Sequence, residues 1–150
     1  MVLNSFQFVQ PAELDKPLEL HYKLTAPQYA HQAGSLLLVR PRVLGSDAMQ
    51  FNSKPRTVPI DLSATGRWHD NFDIKLPAGY VVDETPDPVS VDLDFASYHS
   101  TIVAKGDDLH YERELIVRKV QIPAARDDDF RKLESAIVMD EQGTAVLKKQ

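Results

Sequence analysis

Five histidines, His21, His31, His69, His99 and His110, and several close carboxylates are the side chains here best equipped for chemistry. Imidazole binds metals and moves protons near neutral pH, so spacing is the first test. No two histidines stand at the HxxxH or HExxH interval that puts both rings on one helix face. The chain also has no cysteine to complete a thiolate site. His21 and His110 alternate with apolar residues in strand-like segments, which predicts solvent exposure. Trp68-His69-Asp70 sets imidazole beside carboxylate, but neighbours on a strand point to opposite faces and diverge. No metal is expected at His69.

The acidic runs read the same way. Asp127-Asp128-Asp129 and Asp107-Asp108 lack the alternating ligands and central glycine of a calcium loop. A helix start and a hairpin turn explain them. Glycosidic chemistry needs two carboxylates at a set separation, and Asp92 and Asp94 fit better as the solvated side of one strand. No GxSxG elbow surrounds any serine, Tyr98-His99-Ser100 stands in no recognisable catalytic context, and Ala64-Thr65-Gly66 is a turn rather than a phosphate loop. Expected catalytic, cofactor-binding and metal residues are therefore none, and so are expected cofactors. Trp68, Tyr80, Tyr98 and Tyr111 have the chemistry of a sugar-stacking platform, although aromatics on sheet strands are more often core or cross-strand pairs.

Composition bounds the partners. With 43% hydrophobic and 26% charged residues the chain has the makings of a packed core, which argues against disorder. A net charge of −5 with scattered basic residues gives no footprint for nucleic acid or an anionic membrane. No apolar run approaches the length of a membrane helix. Met1–Ser5 has no basic or apolar region of a signal peptide. The expectation is a single domain over residues 1–150, excised from the C-terminal part of a larger chain.

The elements that must position these residues are mostly strands. Strands are expected at Ser5–Gln10, Leu18–Thr25, Val58–Leu62 and Trp68–Leu76, with Val81–Glu84 an extension beyond the Pro77–Tyr80 turn, and Ser35–Arg40 is a continuous apolar run. Residues 41–55 are irregular and read as a long loop or weak edge. The strongest signal is residues 89–117. Val89, Val91, Leu93, Phe95 and onward to Ala104 predict one long strand, Lys105-Gly106-Asp107-Asp108 a turn, and Leu109 to Val117 a returning strand, with a bulge near Arg118-Lys119. One helix is expected to start at Asp127–Asp129, which supply a cap and a charge that suits an N-terminus. Its stripe is Phe130, Leu133, Ala136 and Ile137, it ends at Glu141-Gln142-Gly143, and Thr144–Lys148 is a closing strand. Together these predict a mainly β fold, an antiparallel β-sandwich of immunoglobulin-like architecture with one C-terminal α-helix at an edge or end. Leu18, Leu20, Tyr22 and Leu24 are expected in its core, so Leu20→Asp is expected to unfold it.

Between Lys54 and Lys149 the chain resembles the C-terminal β-sandwich domain of bacterial transglutaminase-like multidomain proteins. The residues that carry the likeness are Arg56-Thr57-Val58-Pro59-Ile60-Asp61, Leu76-Pro77-Ala78-Gly79-Tyr80, Pro86-Asp87-Pro88-Val89-Ser90, Phe95-Ala96-Ser97-Tyr98, Tyr111-Glu112-Arg113, Ile122-Pro123 and Val146-Leu147-Lys148-Lys149. Ala26-Pro27-Gln28-Tyr29-Ala30 and Gly34-Ser35-Leu36 extend it upstream. The resemblance implies a periplasmic or extracellular, non-catalytic accessory domain. Its partner would be the papain-like transglutaminase domain upstream, which it packs against and helps to supply with protein or peptide substrate. That family's Cys-His-Asp machinery has no counterpart here. The alternative is an independent glycan or cell-wall polymer module using exposed aromatics around Trp68 or Tyr98. Buried rings would favour the accessory role.

Overall fold

A computed structural model describes residues 1–9, 15–47 and 54–150. They form two compact units, Met1–His31 and Gln32–Gln150. The first is a hairpin of β1 (Val2–Val9) and β2 (Glu19–Thr25), paired antiparallel from Val2↔Thr25 to Val9↔Glu19 with an irregularity between Leu3 and Ser5. Gln10, the expected last residue of the first strand, lies outside the described residues. The register gathers Leu3, Phe6, Phe8, Leu20, Tyr22 and Leu24 onto one face, as a period of two requires. Tyr22 and Leu24 are half-buried, but Phe6, Phe8, Leu18 and Leu20 are exposed, Leu20 by 48%. The expected core role of Leu18 and Leu20 is therefore corrected. Alternation marks the face, but two strands alone cannot cover it.

The second unit carries the remaining elements. Two four-stranded sheets dominate, with strand pairing antiparallel throughout. β3 (His31–Ala33), β4 (Leu36–Val39), β7 (Tyr80–Glu84) and β12 (Ala145–Lys149) form one in the order β3-β4-β12-β7. The other, β6-β10-β9-β8, is built from β6 (Gly66–Lys75), β8 (Val89–Asp92), β9 (Ala96–Lys105) and β10 (Asp108–Val117). A short pair, β5 (Ile60–Asp61) and β11 (Gln121–Ile122), stands apart. After a 3₁₀ turn at Ala124–Arg126 comes α1 (Asp127–Gln142), with three aspartates in its first turn. These are sandwich-like sheets without barrel closure, mainly β, with one C-terminal helix: the expected fold class.

One reading of the 89–122 region needs correction. The first long strand is two, β8 and β9, because the chain reverses at Leu93-Asp94-Phe95, closed by Leu93 N–H donating to the Ala96 carbonyl at 2.9 Å. The core-facing positions pass from odd numbers in β8 (Val89, Val91) to even numbers in β9 (Tyr98, Ser100, Ile102), since Val91 pairs with Tyr98 on one face, so the alternation slips by one at the turn. The slip after Val117 is bulge-like, as expected, because Arg118 and Lys119 set two successive N–H groups against the one Phe95 carbonyl, the second at 3.3 Å. Arg118 N–H donates to the Phe95 carbonyl at 2.7 Å, and the chain then leaves this sheet to pair as β11 with β5. The turn at Gly106, with φ of 60°, sits where the sequence places it.

The main core lies between α1 and the β8–β9 edge of its sheet, so the helix does sit at an edge. Phe130, Leu133 and Ile137 from α1 meet Val91, Phe95, Ala96 and Tyr98, with Ile60 and Ile122 closing one side. Phe130 and Ile137 are each 1% exposed, which places the expected stripe inward. Burying such side chains contributes roughly 1.5–3 kcal/mol each. Leu147 and Ala145 of β12 are fully buried, consistent with its central place in its sheet.

Candidate functional site

The polar groups of the second unit gather in two places. One is buried where α1 meets β9 and β10. Residues 98, 100, 111 and 113 share the core face of their strands through the pairs Tyr111↔Ile102, Arg113↔Ser100 and Leu115↔Tyr98. Over them the last turn of α1 lowers Asp140, which is 5% exposed. Tyr98 and Tyr111 hydroxyls both donate to Asp140 Oδ2, each at 2.5 Å, and Ser100 Oγ donates to Oδ1 at 2.5 Å. One carboxylate thus accepts three hydroxyls from two strands, short charge-assisted bonds that satisfy a buried anion. Burial, then the bond to Asp140, raises both phenols well above their usual range, so they stay protonated donors.

A charged chain runs on from this hub. Arg113, 4% exposed, donates from Nε to Asp70 at 2.6 Å and also pairs with Asp47. Burial alone would lower the Arg113 pKa, but the flanking Asp47 and Asp70 carboxylates outweigh it and the net shift is upward. Arg42 bonds the same Asp47 at 3.1 Å and Glu141 of α1, while Ser46 Oγ and the Asp47 N–H donate to Glu141 at 2.7 and 2.6 Å. The described part of the expected long loop, residues 41–47, is therefore clamped to the helix by side-chain pairing. These side chains pair with one another, and the arrangement holds α1, the loop and the sheet in register.

The second gathering is the solvent face of the same sheet. His69 lies 3.4 Å from Glu112, His110 Nδ1 2.6 Å from Asp73 Oδ1, and His99 Nε2 3.1 Å from Asp92 Oδ1. Ser90 Oγ stands 3.2 Å from His99 Nδ1, since Ser90 and His99 face each other across β8 and β9. This Ser90-His99-Asp92 row was missed in the sequence because it needs the reversal at residues 93–95. Its atoms have the order of a nucleophile, base and orienting acid, but the surroundings do not. All three residues are exposed on open sheet, and β9 is paired along both edges, which spends the amides flanking His99 in the ladder. Beside it is only a shallow depression lined by His99, Thr101, Glu112 and Glu114. Among the described residues no group of three His, Cys, Asp or Glu is placed to hold a metal.

The other candidates fall as follows. His69 and Asp70 do diverge: His69 faces solvent, whereas Asp70 bonds Arg113 on the opposite face. His21 is exposed beside Glu19, but the His110 side chain is only 13% exposed because Asp73 holds it against the sheet. Asp94 is in the turn, bonded to Lys119, rather than beside Asp92 on a strand. Asp127–Asp129 form the first turn of α1 rather than its cap: the N-cap position is Arg126, with no side-chain cap hydrogen bond, and the aspartates contribute their charge at that end. Tyr98 and Tyr111 are fully buried and Tyr80 half-buried, leaving Trp68, 43% exposed, without a row of those rings.

Residues 35–147 match the family described as "Domain of Unknown Function with solved-structure structure (DUF3858)". The chain belongs to this family. Among solved structures it is similar to one from Parabacteroides distasonis ATCC 8503, described as a "putative protease", with a TM-score of 0.62 at 16% identity. That match covers 75% of this chain and 23% of the other, so this chain spans less than a quarter of that protein. Likeness at such identity establishes the shared fold. No curated protein matches the chain.

Proposed function

We propose that this DUF3858-family chain is a non-catalytic accessory domain of a longer, transglutaminase-like protein, where it packs on the catalytic domain and helps present a protein or peptide substrate. The observation that carries the reading is the occupation of the polar hub: Asp140, Tyr98, Tyr111 and Ser100 are all spent on one another, holding the helix to the sheet. The similarity to a far longer chain described as a "putative protease" supports a role inside a larger enzyme. A periplasmic or extracellular site belongs to the same reading and rests on the resemblance to exported transglutaminase-like proteins. A glycan platform is disfavoured, since Tyr98 and Tyr111 are buried.

The test is titration calorimetry of the 150-residue chain against a separately produced transglutaminase-like segment of the same protein. Saturable binding with a negative heat-capacity change is the expected result, because burial of apolar surface has that signature. Turnover of ester or amide substrates by the 150-residue chain, abolished by Ser90→Ala or His99→Ala, would overturn the reading and make the exposed row an active site. Turnover abolished by His69→Ala would likewise revive a hydrolase.

A further inference from the structure

The hairpin β1–β2 gathers exposed apolar side chains on one face. Leu3, Phe6, Phe8 and Leu20 share one face by register, each between 48% and 61% exposed, and Leu18 just before β2 is 65% exposed. Phe6 and Phe8 pack edge to face, their ring centroids 6.2 Å apart, so the face is already organised as a surface. The opposite face is mainly polar apart from Val2 and Val9: Glu19 and His21 pair at 2.9 Å, and Thr25 Oγ1 donates to Asn4 at 3.0 Å. Such a one-sided hairpin is marginal in water without a third layer.

The two outer edges of the hairpin also differ. β2 carries Glu19, His21 and Lys23, the charges that guard a sheet edge. β1, Val-Leu-Asn-Ser-Phe-Gln-Phe-Val, carries none, and among the described residues it pairs with β2 alone. An uncharged eight-residue edge beside an exposed apolar face is a site for a further strand and a covering layer.

We propose that this hairpin is a docking element whose apolar face is closed by an apolar β-sheet from another segment of a longer polypeptide containing these 150 residues. A second copy of the chain is the weaker occupant. At about 200 Å² for a large apolar side chain, the exposed set offers on the order of 500 Å², against roughly 800 Å² per partner in a stable interface. Pairing two β1 edges about a two-fold axis would also leave both apolar faces on one side, still uncovered. A tethered partner needs less area, because linkage supplies an effective concentration in the millimolar range. The chain's span of 23% of the similar solved structure gives such a tether room. The inference shares with the accessory reading only the existence of a longer chain. It requires no transglutaminase-like activity and no substrate.

The experiment compares the 150-residue chain with the natural full-length protein, by sedimentation and by amide hydrogen exchange at β1 and β2. The short chain is expected to be monomeric with fast exchange in the hairpin. In the full-length protein the same amides are expected to slow at least a hundredfold, and Phe6→Ser with Phe8→Ser to remove that protection while α1 keeps its own. A dimeric short chain with a protected hairpin would assign the face to a second copy and overturn the proposal. An unprotected hairpin in the full-length protein would overturn it, and so would a natural protein with an intact mass of 16.9 kDa. A protected hairpin in a full-length protein without enzymatic activity would leave this docking intact while removing the accessory reading.

Discussion

Two segments of this chain alternate apolar and polar residues with the same period, and they end in opposite environments. In β8 and β9, Val91 and Tyr98 are buried, because α1 and the short β5–β11 pair supply a second layer. In β1 and β2, Phe6, Phe8 and Leu20 stand in the same alternation and remain largely exposed. The difference teaches that binary pattern encodes which face of a strand is apolar, while burial is decided by what the rest of the chain can lay over it.

The comparison can be broken first at the hub. Asp140→Ala strands three buried hydroxyls without their acceptor, and the expected loss is about 3 kcal/mol or more, read from urea denaturation of the second unit. A loss under about 1 kcal/mol would mean that the helix is held by its apolar stripe alone. The hub also predicts a pH dependence. The folded-state pKa values of Tyr98 and Tyr111 lie above the ordinary value of 10.0, so the folded form binds those protons more tightly. Their contribution is complete below that ordinary value and is lost as pH rises beyond it, because the unfolded chain ionises first. Stability measured from pH 8 to 12 is expected to hold to about pH 10 and then fall. Tyr98→Phe is expected to make that fall shallower. The smallest effect belongs to the hairpin: Leu20→Asp is expected to change the second unit's stability by about 0.5 kcal/mol or less, as surface substitutions do.

Much of the architecture was legible in the sequence. The α1 stripe of Phe130, Leu133 and Ile137, the aspartate-rich helix start, the Gly106 turn and the closing strand β12 all follow from local periodicity and turn chemistry. What stayed hidden depended on long-range pairing. The reversal at Leu93–Phe95 shifts the apolar phase by one position, but which residues it brings together is set by the pairing of β8 with β9, and the Ser90-His99-Asp92 row exists only because of that pairing. Asp140 reads locally as one more acid on a polar helix end. Its role appears only when Tyr98, Ser100 and Tyr111 arrive from two strands about thirty to forty residues away in sequence. β3 is three residues long, too short to carry a period.

Two phenylalanines of equal apolar content test the central comparison directly. Phe95 is 2% exposed in the reversal beneath α1, and Phe8 is 59% exposed on the hairpin. Urea denaturation of Phe95→Ser and Phe8→Ser, followed by tyrosine fluorescence and circular dichroism, sets them side by side. The expected result is a loss of about 3–5 kcal/mol, or failure to fold, for Phe95→Ser, with the main transition of Phe8→Ser unmoved. Equal losses at the two positions would contradict the account, because they would mean that the hairpin face is already part of the folded core.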